Sequence, residues 1–243
     1  MDVPPALPIP VRSAVFDTQS AYVLPADRTA IVAGAGITLI RGYGGSLHVN
    51  RGLPWGGEFG AHLGLRAPQL PEAAVSYKQQ LYSGDWWWST AWYGFAKLRQ
   101  TVTAWSIEGG GGTPLTLDVS WDESSLARLH VVPQAQFSLT GPTGNTLGTG
   151  AALALVIPTG NQWDAVLQVV PWVTLGGTRS VAVDYPIRVG GIRRWRAADV
   201  ALGIGLALGD STDPRAQADV APPRPSFFTE QLGHVSLSAG IAF

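Results

Sequence analysis

No cysteine occurs anywhere in the 243 residues. That excludes a disulfide framework, a thiolate metal centre and a cysteine nucleophile. Charge is also scarce: Asp, Glu, Lys and Arg together make 14% of the chain, against roughly 25% in ordinary soluble domains. The formal net charge is −1, so no charged surface points to nucleic acid as a partner. There are four histidines and no clustered carboxylates. His48 and His62 fall on nearby strands, yet no metal site and no cofactor are expected. Long apolar runs are missing as well. The longest, 150–157 and 200–208, fall far short of the ~20 residues a membrane-spanning helix needs, and they are rich in helix-disfavouring Gly and β-branched residues. Met1-Asp2-Val3-Pro4-Pro5 lacks the basic and apolar regions of a secretory leader. The expectation is a mature sequence behind an added Met, its leader already removed.

What is present is alternation. Thirty glycines and ten tryptophans punctuate segments in which every second residue is apolar, the pattern of strands with one apolar face. Twelve such segments are predicted: 29–41, 45–53, 57–66, 73–83, 86–107, 114–122, 125–140, 146–157, 162–175, 178–190, 194–208 and 234–243. Residues 115–122 show the cleanest case, with Leu115, Leu117, Val119 and Trp121 set against Thr116, Asp118, Ser120 and Asp122. The four glycines 109–112 read as a break between strands, lacking the Lys and helix of a phosphate loop. Residues 1–28, with Pro4, Pro5, Pro8 and Pro10, read as a tail or an inserted plug with a short strand near 14–16. The longest loop is 209–229.

The last ten residues, HVSLSAGIAF, alternate strictly and end on an aromatic. Val235, Leu237, Ala239, Ile241 and Phe243 point one way, while His234, Ser236, Ser238, Gly240 and Ala242 point the other. This ending resembles the C-terminal signal of bacterial outer-membrane β-barrels. The resemblance implies that Val235, Leu237, Ile241 and Phe243 form an assembly signal read by the barrel assembly machinery, and that the final strand closes the barrel. It also implies an outer-membrane location with lipid as a partner. Only this strand carries a recognisable motif, and no specific family emerges.

An all-β, antiparallel, up-and-down transmembrane barrel over 29–243 follows, with about twelve strands and ten to fourteen compatible with the pattern. With both termini on the periplasmic side, odd-numbered connections should be outer loops and even ones short turns. Trp55, Trp105, Trp121, Trp163, Trp195, Tyr43 and Phe243 lie near strand ends, where membrane barrels carry aromatic girdles. In this register the inner face holds Glu58, His62, Arg66, Lys78, Lys97, Arg99, Asp118, Asp122, Arg128, His130, Asp164, Asp184, Arg188, Asp199 and His234. Opposite charges on paired strands attract and fix register, so these residues either satisfy one another or line a path. The candidate lumen-lining and selectivity residues are Lys78, Lys97, Arg99, Asp118, Asp122, Arg128, Asp164, Asp184, Arg188 and Asp199.

The leading functional expectation is therefore a passive, porin-like channel for small hydrophilic solutes, selecting by charge. A second is a closed structural or interaction barrel displaying 209–229. A third is a lipid hydrolase using His234 and Ser236, which resembles outer-membrane lipid hydrolases in His-x-Ser spacing only; Leu237 stands where that family has Asn, so no catalytic residue is assigned. A soluble β-sandwich or ligand-binding barrel is the alternative fold. The sequence leaves solute and oligomeric state open.

Overall fold

The computed structural model describes residues 14–16, 18–38, 42–66, 70–83, 87–100, 105–120, 126–140, 145–160, 162–176, 181–209 and 234–243. Two short strands come first, β1 (Ala14–Val15) and β2 (Thr18–Gln19), paired with each other. Then follow β3 (Thr29–Thr38), β4 (Gly42–Leu53), β5 (Gly57–Arg66), β6 (Leu70–Ser83), β7 (Trp88–Gln100), β8 (Trp105–Gly112) and β9 (Leu115–Ser120). The remainder are β10 (Leu126–Thr140), β11 (Thr146–Gly160), β12 (Trp163–Val169), β13 (Trp172–Gly176), β14 (Val181–Arg194), β15 (Ala198–Gly209) and β16 (His234–Ala242). Strands β3 to β16 form one antiparallel sheet in which β16 pairs with β3, so the sheet closes on itself. Two positions around the ring are each filled by two collinear strands, β8 with β9 and β12 with β13. The result is a barrel of twelve staves.

Both interruptions sit at prolines, which have no N–H to give the ladder. At Pro114 the carbonyl accepts from Ala91 instead, at 3.0 Å, and Thr113 donates to the Pro133 carbonyl at 3.1 Å. At Pro171 the carbonyl accepts from Ala151 at 3.2 Å, while Val170 donates to the Pro186 carbonyl at 2.9 Å. The backbone groups on either side of each break therefore stay satisfied.

Two predicted boundaries are wrong: β6 begins at Leu70 rather than at 73, which brings Glu72 into the sheet opposite Arg99, and the second lies around the four glycines. Residues 86–107 do not form one strand, and the four glycines do not end it. The stave change falls between Gln100 and Trp105, and Gly109–Gly112 finish β8, paired with both β7 and β10. A side chain there has no room: a Cβ at Gly110 would strike the Ala135 carbonyl, and one at Gly111 the Tyr93 carbonyl. The glycines serve close backbone approach within the sheet, not a turn. Residues 108–113 consequently drop out as an outer loop, and the expected contrast between short and long connections weakens. Intervals at the end where the termini meet (54–56, 84–87, 121–125, 161–162, 195–197) match those at the other end, except for 210–233.

Outward positions carry the apolar set. Ile37, Leu63, Val75, Leu98, Ile107, Phe137, Val189, Leu202, Ile204 and Leu237 are all exposed, Leu63 and Ile37 by more than 60%. An aqueous surface does not carry so continuous an apolar wall, whereas hydrocarbon requires one. Among the described residues no helix is long and apolar enough to cross a membrane; the strands provide the crossing. Trp55, Trp105, Trp163 and Trp195 are exposed near stave ends, while the side chain of Trp121 lies outside the described residues.

Candidate functional site: the barrel lumen

Inward positions mix apolar patches with polar groups, and His130, Gln136, Gln168, Asp184, Arg188 and Asp199 are buried on β10–β15 too. On β10–β15 the wall offers Val132, Ala152, Ala154, Val156, Val166, Ile192 and Ala201, all buried. Trp172 also points inward and is fully buried. It lies over Gly148 and Gly150, where a Cβ at Gly148 would come 2.7 Å from its indole nitrogen. The inner faces of β16 and β3–β6 carry Ser236, Ser238, Gly34, Ser46, His48, Asn50, His62, Ser76 and Lys78.

Residues 14–16 and 18–24 lie inside this wall. The chain enters beside Thr29, where Arg51 contacts the Asp27 carboxylate at 3.2 Å. It approaches β4 so closely that a Cβ at Gly52 would collide with the Pro25 carbonyl. Deeper in, Leu24 N donates to Glu58 Oε2 at 2.8 Å, Ala21 N to Thr116 Oγ1 at 3.0 Å, and Tyr22 Oη to Asp118 Oδ2 at 2.5 Å. Lys78 Nζ donates to the Ser20 carbonyl at 3.4 Å and Gln168 Nε2 to Thr18 Oγ1 at 2.6 Å. The β1–β2 turn forms the tip. There Phe16 takes the left-handed conformation (φ 49°), uncommon for a bulky residue. Its ring packs on the Val156–Ile192 cluster, and the Arg188 guanidinium lies 5.3 Å above it. Burial and the hydrogen bond to Asp118 hold the Tyr22 hydroxyl above its ordinary pKa.

The inward charges are engaged with one another. Lys97 Nζ lies 3.4 Å from Glu72 Oε2 and 3.6 Å from Glu108 Oε2, and Arg99 pairs with Glu108 at 2.8 Å. Gln136 Nε2 donates to Glu108 at 3.3 Å. Glu72 in turn meets His62 Nε2 at 2.9 Å, and His62 Nδ1 meets His48 Nε2 at 3.0 Å. This network runs unbroken from β4 to β10. Separately, Arg128 pairs with Asp118 at 3.1 Å and Arg194 with Asp164 at 2.7 Å.

Of the predicted site residues, the structure places Lys78, Lys97, Arg99, Asp118, Arg128, Asp164, Asp184, Arg188 and Asp199 off the apolar outer face. Lys78, Lys97, Asp184, Arg188 and Asp199 are deeply buried. Asp122 lies outside the described residues, as do the side chains of Arg66 and His234. Sequence reading missed Glu72, assigned to a loop, and Glu108, left in the connection 108–113 with the supposed glycine break. The signal was there: Trp105, Ser106, Ile107 and Glu108 alternate out and in. Ser236 Oγ is directed to the Gly203 carbonyl at 3.5 Å. Among the described residues no group of three or more His, Asp or Glu is arranged to hold a metal ion.

Between the luminal segment and the inner faces of β16 and β3–β6 lies a cavity of about 90 Å³. Phe16 and Gln19 bound it on one side, with Ser46, His48, Asn50, Ser76, Ser236 and Ser238 among the groups opposite. The Ser46 hydroxyl is buried there without a hydrogen-bond partner.

No protein-family model matches the chain, and no curated protein does. Its fold is nonetheless that of known barrels. An outer-membrane channel from Pseudomonas putida F1 superposes with a TM-score of 0.60 at 9% identity, covering 94% of this chain and 100% of that one. The NanC porin gives 0.56 at 9% identity over 88% and 98% of the two chains. The KdgM porin, solved with disordered oligogalacturonate, gives 0.54 at 8% identity over 89% and 99%. The chain thus has the fold of bacterial outer-membrane β-barrels.

Proposed function

We propose that this chain is an outer-membrane barrel that passes small hydrophilic solutes along a path beside its luminal segment. The observation that carries this is the cavity between Phe16–Gln19 and the serine-rich inner face of β16, β3 and β4. At about 90 Å³ it corresponds to roughly three water molecules, so the path is narrow while the segment is docked. Its lining supplies hydroxyl, amide and imidazole groups, and the wall charges are largely spent on each other. Selection by net charge is accordingly weak, and the natural cargo is small and hydrogen-bonding.

Planar-bilayer conductance of the full chain tests this. Small unitary currents are expected. They should grow severalfold when residues 2–22 are deleted, and shift toward cation selectivity in Ser236→Asp. The pair Lys97→Glu/Arg99→Glu is a poor selectivity probe, since it would bury four carboxylates together and disrupt the wall.

A closed structural barrel is favoured by one observation, the seating of Phe16 on the apolar patch of the lumen. Current from the deletion variant but none from the full chain would establish that reading, and silence from both would overturn the channel altogether. We propose no enzymatic step, because the Ser236 hydroxyl is directed to a backbone carbonyl.

A further inference from the structure

Arg193 has an unusual setting on the outer wall. It stands at the end of β14 nearest the chain termini, paired across the ladder with Trp163. Its guanidinium carbon lies 5.7 Å from the Trp163 ring centre and 5.2 Å from that of Trp195. All three side chains are exposed. Arg196, in the same turn, is exposed as well. No acidic group compensates Arg193 among the described residues. Asp164, the nearest acid in sequence, pairs with Arg194 on the inner side at 2.7 Å, and Asp199 is buried. Arg51 provides the contrast: it too is exposed at this end of the barrel, but it is neutralised by Asp27 at 3.2 Å and donates to Thr29 Oγ1 at 2.8 Å.

Two exposed indoles at a stave end belong at the lipid–water boundary. A cation set against both rings and lacking a carboxylate among the described residues has a counter-ion position open toward the membrane. A guanidinium presents a planar fork that matches phosphate oxygens. We propose that Arg193, clamped by Trp163 and Trp195 and assisted by Arg196, binds the headgroup phosphate of an anionic phospholipid. The indoles lie along its glycerol and upper acyl region. The inference rests on reading the outer wall as lipid-facing, and it is independent of whether the lumen conducts.

Native mass spectrometry of the purified full chain tests it, with phosphatidylglycerol and phosphatidylcholine of equal chain length as probes. Phosphatidylglycerol should be retained in preference. Retention should fall roughly tenfold in Arg193→Gln, the loss expected for one charge-assisted contact, and stay unchanged in Arg51→Gln. Trp195→Leu, which keeps the charge and removes one ring, should lie between. Equal retention of the two lipids by the parent chain would overturn the proposal. So would undiminished phosphatidylglycerol retention in Arg193→Gln, provided the variant keeps the parent's migration in SDS without boiling. Failure of the parent chain to insert into vesicles of these lipids would instead overturn the membrane reading beneath it.

Discussion

Glu108 lies within reach of two cations, Lys97 and Arg99, on the inner wall and is 1% exposed. Removing its charge strands Arg99 and leaves Lys97 with Glu72 alone. Breaking a buried pair from one side typically costs about 3–5 kcal/mol, so Glu108→Gln should lower the denaturation midpoint in urea titrations of the lipid-embedded protein. Glu108→Gln combined with Arg99→Met should recover part of the loss. A steric counterpart is found at Gly148, where any side chain meets Trp172. Gly148→Val should destabilise by about 1–3 kcal/mol through overpacking, and Trp172→Ala in the same chain should relieve it. Residue-level legibility depended on the strand map. Lys97 and Arg99 could be placed inward from their own alternation, but the carboxylates that hold them could not. Glu72 follows a proline and Glu108 precedes four glycines, and both contexts read locally as loop while the neighbouring staves impose strand.

On the proposed function, the luminal segment is the element on which conduction turns. Beside the apolar seating of Phe16 and Leu24, its polar anchors are each worth about 1–3 kcal/mol, so single losses should loosen the segment without unfolding the barrel. Tyr22→Phe removes the bond to Asp118 and should raise open-channel noise and mean conductance. The raised pKa of Tyr22 sets a pH window too. Below its ordinary value of 10.0 the phenol is neutral whether docked or released, and the contact is intact. Above it the released phenol ionises first, so docking weakens progressively as pH rises toward the docked value. Conductance of the full chain should therefore be flat near neutrality and climb above about pH 10, and that climb should be absent in Tyr22→Phe. A short strand near 14–16 was visible from sequence. Its position inside the barrel was not, because Thr18, Ser20 and Tyr22 find their partners 58 to 150 residues away. Long-range pairing of that kind leaves no periodicity behind.

At the scale of the whole molecule, the apolar wall governs stability. Ile204 sits mid-stave on β15 and is 55% exposed. Ile204→Arg should cost about 2–4 kcal/mol in a bilayer, measured by folding into vesicles. The twelve staves were legible because lipid and lumen impose opposite demands on alternate residues, which writes the fold into the sequence residue by residue. The charge-lined pore foreseen from the same alternation is less open than expected, since acid and base answer each other across neighbouring staves.

Thr29 and Phe243 exchange two backbone hydrogen bonds of 2.9 Å each, joining first stave to last. A sheet with such a join has no free margin into which a misfit can be discharged. Adding one residue inside any stave would turn the following side chains from oil to water, and the offset would travel round the ring until it returned to its origin. Length should accordingly vary among relatives in the connections, above all at 210–233, and within the staves only in steps of two or as a bulge.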